Sequence, residues 1–278
     1  MPIWSLGWAN AGPVRSAQAG LLALLCLTAA PVAATAAEAG QEVDVALVLA
    51  VDVSWSMDPD EQDLQRQGFI EAFRSPAVHD AIRKGMLGRI AVTYFEWASA
   101  AHQQVVVPWT VIDGSEGALA FADRLGRAPP GRAYYTSVSA AIDYGIELLA
   151  RSGVEASRQV IDISGDGPNN DGRLVTTARD AAVGNGIVVN GLPIMLKRPT
   201  QSWDIENLDG YYRDCVIGGA GAFLVPVRER AQFVAAIRTK MVREIADAPA
   251  PALVRPAQAE TRADCSIGEW LRRQRPWN

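Results

Sequence analysis

From Val43 to Ala246 the chain alternates between short apolar runs and segments whose apolar residues recur every three or four positions. Val45-Ala46-Leu47-Val48-Leu49-Ala50-Val51 is a continuous apolar run, the pattern of a strand buried on both faces of a parallel sheet. Asp58-Pro59-Asp60-Glu61 then predicts a helix start, with Asp58 as cap, Pro59 at the first helical position and Glu61 completing a capping box. Ile90–Phe95 and Gln104–Val107 read as the second and third strands. A helix is expected after Ser115, and another over Ser137–Ala150, where Val138, Ile142, Ile146 and Leu149 keep helical spacing. Val160–Ser164 and Ile187–Leu192 read as the fourth and fifth strands, with a helix over Val175–Val183 between them. Phe223-Leu224-Val225 reads as a short last strand. A final helix over Phe233–Ile245 carries Phe233, Ile237, Met241 and Ile245 on one stripe. Strands separated by helical patterns predict an α/β fold: a doubly wound, mostly parallel sheet flanked by helices. In such sheets ligands bind beyond the carboxyl ends of the strands, and Asp52 stands at one of those ends.

The chain ends change the picture of where this domain works. Arg15 precedes the apolar stretch Ala19–Ala30, and Ala34-Thr35-Ala36 fits a small-residue cleavage site, so residues 1–36 read as an export signal cleaved near Ala36. The alternative is an uncleaved membrane anchor, but the stretch is shorter than the ~20 residues a spanning helix needs and Pro31 interrupts it. Cys26 is a poor lipoprotein cysteine, because Leu25 precedes it where a small residue is wanted. The expected organisation is therefore signal peptide 1–36, domain 43–246, and linker and C-terminal tail 247–278, in an exported, periplasmic protein. Removing the signal leaves Cys215 and Cys265. In an exported protein they either pair, closing a loop of about 50 residues for roughly 3–4 kcal/mol, or remain separate thiols. A net charge of -5 argues against nucleic acid as a partner, since phosphate binding needs a basic face.

Three segments bring small oxygen-bearing side chains to the predicted carboxyl edge. Asp52-Val53-Ser54-Trp55-Ser56 places a carboxylate and two hydroxyls at alternate positions where the first strand runs out. Thr136 follows the Pro/Gly-rich loop Ala128–Tyr135 at a predicted helix start. Asp166, in Ser164-Gly165-Asp166-Gly167, follows the fourth strand. Each alone has an ordinary structural reading as a turn or a helix cap. Together they form a set of hard oxygen donors suited to Mg²⁺, Mn²⁺ or Ca²⁺. Neutral hydroxyls would leave such an ion electron-poor and attractive to an incoming carboxylate.

The order Asp-x-Ser-x-Ser, then Thr, then Asp resembles the metal-ion-dependent adhesion site of von Willebrand factor A domains. The strings Ile163–Asn170, Asn190–Ile194 and Tyr211–Gly219 are similar to an exported bacterial family of such proteins without assigned function. The resemblance implies a divalent cation, Mg²⁺ first, held by Asp52, Ser54, Ser56, Thr136 and Asp166. It implies an open position for an Asp or Glu of a protein partner, and binding rather than catalysis. Many A domains carry Thr-Asp-Gly after the fourth strand; here Ser164-Gly165 precedes Asp166, which leaves the reach of Asp166 open. Glu96, at the end of the second strand, is expected to be solvated, with a place beside the ion as the alternative. Asn169, Asn170 and Asp171 read as a polar turn. The rival is a haloacid-dehalogenase-type phosphatase, echoed by Gly165-Asp166-Gly167-Pro168-Asn169-Asn170. That chemistry needs an acid two residues after the first Asp, where this chain has Ser54, and a Lys between the motifs, where only Lys84 is found. A third reading is a cation that only stiffens the loops.

Overall fold

A computed structural model describes residues 40–197, 204–246 and 262–274. The export signal with Cys26 and the Pro/Ala-rich linker lie outside the described residues. Among the described residues no helix is long and apolar enough to cross a membrane.

Five strands form one sheet: β1 (Gln41–Asp52), β2 (Ile90–Trp97), β3 (Gln103–Ile112), β4 (Val154–Gly165) and β5 (Val188–Pro193), in the order β3-β2-β1-β4-β5. β1 pairs in parallel with both β2 and β4, and β4 with β5. The β2–β3 link is too short for a crossover, so β3 returns antiparallel as an edge strand. The interleaved helices are α1 (Pro59–Arg74), α2 (Pro76–Arg83), α3 (Ser115–Arg127), α4 (Val138–Ala150), α5 (Val175–Gly184), the single turn α6 (Leu208–Tyr211), α7 (Phe233–Ala246) and α8 (Ile267–Arg273). The doubly wound, mostly parallel α/β architecture predicted from the pattern is the one found.

Period-2 alternation along β1 sorts the core into two layers. Val45, Leu47, Leu49 and Val51 pack with α1, α2, α3 and α7, including Phe69, Phe73, Phe121 and Phe233. Ala46, Val48 and Ala50 face the other way, against α4, α5 and the Tyr211/Tyr212 pair. By the same alternation Asp52 leaves the sheet on the second side. Its strand lies at the centre of the order, where chain connections depart to both sides, which is where a doubly wound sheet opens a crevice.

The capping box at α1 is present as read: Asp58 accepts from the Glu61 amide and Glu61 from the Asp58 amide. One expectation is corrected: Phe223–Val225 is not a strand, because Leu224 and Val227 make only isolated bridges to Gly191 and Ile194 and the segment runs along the edge of β5 without a ladder. In the tail, residues 262–274 include α8, and Cys265 and Cys215 pair as one of the two sequence alternatives had it. The helix α2 and a π-helical turn over Tyr212–Val216 were not anticipated.

Candidate metal centre

β1 ends in a tight turn because Asp52 caps it: the Asp52 Oδ1 accepts the Ser54 amide at 2.7 Å. That turn directs the Ser54 and Ser56 hydroxyls together, 2.9 Å apart. The Ser56 hydroxyl in turn donates to Asp166 Oδ1 at 2.6 Å across 110 residues of sequence. Asp52, Ser54, Ser56 and Asp166 thus form one connected set at the ends of neighbouring strands, where Val51 of β1 faces Ser164 of β4. Thr136 is held beside them by a reciprocal pair. Its amide donates to Asn170 Oδ1 at 2.9 Å, and the Asn170 amide donates to its carbonyl at 2.8 Å. The helix cap is Ser137, whose hydroxyl accepts the Ala140 amide, so the Thr136 hydroxyl is not used in capping α4. Among the described residues it makes no hydrogen bond at all, and it lies 3.9 Å from where a Cβ on Gly167 would stand.

The electrostatics of this cluster are incomplete without a counter-charge. Asp52 is fully buried, and among the described residues its Oδ2 has no well-formed hydrogen bond. Burial first, and then the charge of Asp166, hold its carboxyl well above the usual carboxylate range, against the pull of the Ser54 bonds and the Asp166 amide. Burial pushes Asp166 up to about 7, opposed by the Ser56 hydrogen bond. Two desolvated carboxylates with an orphaned oxygen between hydroxyl donors fit a hard divalent cation. No trio of His, Cys, Asp or Glu among the described residues is gathered to hold a metal; the candidate donors are two carboxylates and three hydroxyls, chemistry that suits Mg²⁺, Mn²⁺ or Ca²⁺.

Three further groups shape the site without being evident in the motif. Tyr212 is fully buried, its hydroxyl has no hydrogen-bond partner among the described residues, and burial followed by the charges of Asp52 and Asp166 raises it well above the usual phenol range. It belongs to the Tyr211–Gly219 string, so a signal existed, but nothing in that string says where the ring points. Lys197 donates to the Ser56 carbonyl at 2.9 Å, pairs with Glu61, and lies 3.5 Å from Asp58. Glu96 corrects the expectation of a solvated carboxylate. It is buried, ion-paired with Arg66 of α1, and accepts the Gly131 amide at 2.8 Å. It fastens the Pro/Gly-rich loop that leads to Thr136. Asn169 and Asn170 brace that loop, as a polar turn would: Asn169 Oδ1 accepts the Ser139 amide at 2.9 Å.

The family described as "Protein of unknown function (DUF1194)" matches residues 42–249. The chain belongs to that family. A comparison with curated proteins gave no match. Among solved structures, proximal thread matrix protein 1 from the mussel byssus is similar at a TM-score of 0.54 and 12% identity, over 76% of this chain and 49% of that one. The pilus adhesin SpaC from Lactobacillus rhamnosus GG is similar at 0.55 and 12%, over 74% of this chain and 32% of that one. A variant of the PilB minor pilin from Streptococcus sanguinis gives 0.52 and 12%, over 74% and 62%. At these identities the likeness is one of fold, and the chain spans about half of the byssus protein and about a third of the adhesin. What is shared with these proteins is the fold: a mostly parallel α/β sheet flanked by helices.

Proposed function

We propose that this domain is an exported, non-catalytic binding module that uses a divalent cation to grip a carboxylate of a protein partner. The observation that carries the reading is the buried Asp52 Oδ2 without a well-formed hydrogen bond among the described residues, in a cluster that holds a second desolvated carboxylate. Asp52, Ser54, Ser56, Thr136 and Asp166 would hold the ion, Mg²⁺ being the first candidate. The ion would supply Lewis-acid attraction for an Asp or Glu side chain in a coordination position that the protein leaves open. The chain's own contribution is positional. The Asp52 turn aims the two serines, Asn170 sets Thr136, and Glu96 with Arg66 fixes the loop between them. The fold likeness to a pilus adhesin, a minor pilin and a byssal matrix protein supports a role in extracellular assembly or adhesion, and the N-terminal export pattern agrees with it.

Thermal unfolding with Mg²⁺, Mn²⁺ or Ca²⁺ against a chelator tests the reading. The wild type should be stabilised by RT ln(1 + [L]/Kd), about 2.7 kcal/mol at a hundredfold excess over Kd. Asp52→Ala should fold and lose that stabilisation. Equal cation response in the two proteins would sink the site assignment. Mg²⁺-dependent hydrolysis of a chromogenic phosphate ester that disappears in Asp52→Asn would overturn the non-catalytic reading.

A further inference from the structure

The ligand segments also carry rings that cation binding does not use. Trp55 stands between Ser54 and Ser56, and Tyr134 and Tyr135 lead directly into Thr136. Trp55 is 54% exposed and Tyr134 64%. Their rings nevertheless stack on each other, centroids 5.1 Å apart and planes 17° from parallel. The Arg132 guanidinium lies 3.9 Å from the centre of the Trp55 ring and has no acidic partner among the described residues.

Backbone pairing explains why these groups meet. Ser54 forms a parallel bridge with Ala133, and the Ala133 amide donates to the Val53 carbonyl at 3.1 Å. The two ligand-bearing loops are therefore joined, and the side chains at 55, 132 and 134 are brought to one spot. Tyr135, next in line, has φ +68°. A non-glycine residue there costs about 1–2 kcal/mol, and such strain gathers at functional sites.

Single exposed apolar residues are ordinary, but a contiguous ring pair with an Arg that donates only to the Trp55 carbonyl, at 3.5 Å, and has no acidic partner among the described residues has the composition of an interface hot spot. Cation–π contact holds the guanidinium against the Trp55 ring. A cation there would, with a bound metal ion, attract a chain of negative charge, and the exposed parts of the Tyr134 and Trp55 rings suit proline or another aromatic ring.

We propose that Trp55, Tyr134 and Arg132 form a shelf that reads the residues flanking the partner's metal-capping carboxylate. Its occupant is an acidic peptide segment with a proline or aromatic ring next to the Asp or Glu. This rests on the cation-binding reading and adds the sequence class of the partner to it.

A random peptide library displayed on phage, panned on the protein in Mn²⁺ and eluted with chelator, tests the shelf. Recovered peptides should carry Asp or Glu with a ring residue within two positions. The double variant Trp55→Ala/Tyr134→Ala should bind Mn²⁺ within about twofold of wild type by calorimetry, yet bind those peptides at least tenfold more weakly. Arg132→Gln should weaken them too, with the deficit shrinking at high salt. The shelf is overturned if acidic peptides appear without ring enrichment, or if the double variant binds them as wild type does. It is equally overturned if the wild type binds Mn²⁺ and yields no peptide. Failure of the wild type to bind Mn²⁺ removes the cation reading itself, and the shelf with it.

Discussion

A methyl group on Gly165 would stand 2.7 Å from Asp52 Oδ2, 3.2 Å from Asp52 Cβ and 3.0 Å from the Tyr212 hydroxyl. The glycine that left the reach of Asp166 open in the sequence is therefore explained by crowding: the space is already occupied by the Asp52 carboxylate and a buried phenol. Gly165→Ala must displace one of them, and both are fully buried. Overpacking of this kind costs about 1–3 kcal/mol, and here it also moves a candidate ligand. Gly167→Ala is the control, because its nearest neighbours, the Thr136 side-chain atoms, lie at an ordinary 3.9 Å. Thermal unfolding with and without Mg²⁺ should show Gly165→Ala destabilised and poorly cation-responsive, while Gly167→Ala stays near wild type in the chelated state. Equal behaviour of the two would remove the crowding argument. The proximity of Asp52, Ser54, Ser56 and Asp166 was legible because they stand in short strings at neighbouring strand ends. Glu96 was not, since its partner Arg66 lies 30 residues away and only the third dimension shows that α1 and the Gly131 loop close over it.

Elements with a clean period were readable, and those set by contact were not. β1 extends back to Gln41 and β4 to Val154 because the two ladder together over positions too polar to announce a strand. Phe223–Val225 has strand-like composition, but the Phe223 amide is taken by Asn190 Oδ1 at 3.0 Å rather than by a ladder. The tail helix α8 is the plainest case, lying beyond a Pro/Ala-rich stretch. It sits so close to the Asn169–Asp171 loop that a Cβ on Gly268 would be 2.0 Å from the Asn169 carbonyl oxygen. Arg272 donates to the Asn170 carbonyl at 2.9 Å, pairs with Asp171, and lies 4.3 Å from the Tyr135 ring centre. Asn170 is the residue that sets Thr136. Arg272→Ala should therefore loosen one arm of the cation site while the sheet stays intact. Calorimetric Mn²⁺ titration should show a several-fold rise in Kd, with unfolding in chelator changed by about 1 kcal/mol or less, since the lost ion pair is partly solvated. Unchanged Mn²⁺ affinity would show that α8 packs on the loop without supporting the site. Arg272 is a positioning residue in this sense and touches no ligand.

For the molecule as a whole, the Cys215–Cys265 bridge ties that tail to the core, as the even cysteine count allowed, but no sequence pattern points to the buried charges on the opposite face of the sheet. Lys240 of α7 lies 2.6 Å from Asp162 Oδ1 of β4 and pairs with Glu244, and all three are at most 2% exposed. In the sequence Lys240 and Glu244 look like a solvent-facing helical pair four residues apart. One ammonium faces two carboxylates there, so a proton completes the balance more cheaply than a second bare charge. Burial, and then the charge of Asp162, raises Glu244 from an ordinary 4.5 to about 7; burial raises Asp162 as well, opposed by Lys240. A raised folded-state value means the native form keeps a proton that the unfolded chain has released. The stabilisation is complete below about pH 4.5 and is lost as pH climbs through about 7. Glu244→Gln keeps an oxygen for the Asn190 side-chain amide, which donates to Glu244 at 3.0 Å, and removes the titration. In urea unfolding with chelator present, wild type should lose stability relative to Glu244→Gln between pH 5 and 8, by on the order of 3 kcal/mol. The difference between the two proteins is the test, because Asp52 and Asp166 are raised as well and contribute with the same sign to both, while acids held low, such as Asp171 and Asp214, act only below pH 4 and in the opposite direction. A difference that stays flat across that range would mean the triad carries its full charge in the native fold, with Lys240 balancing both carboxylates.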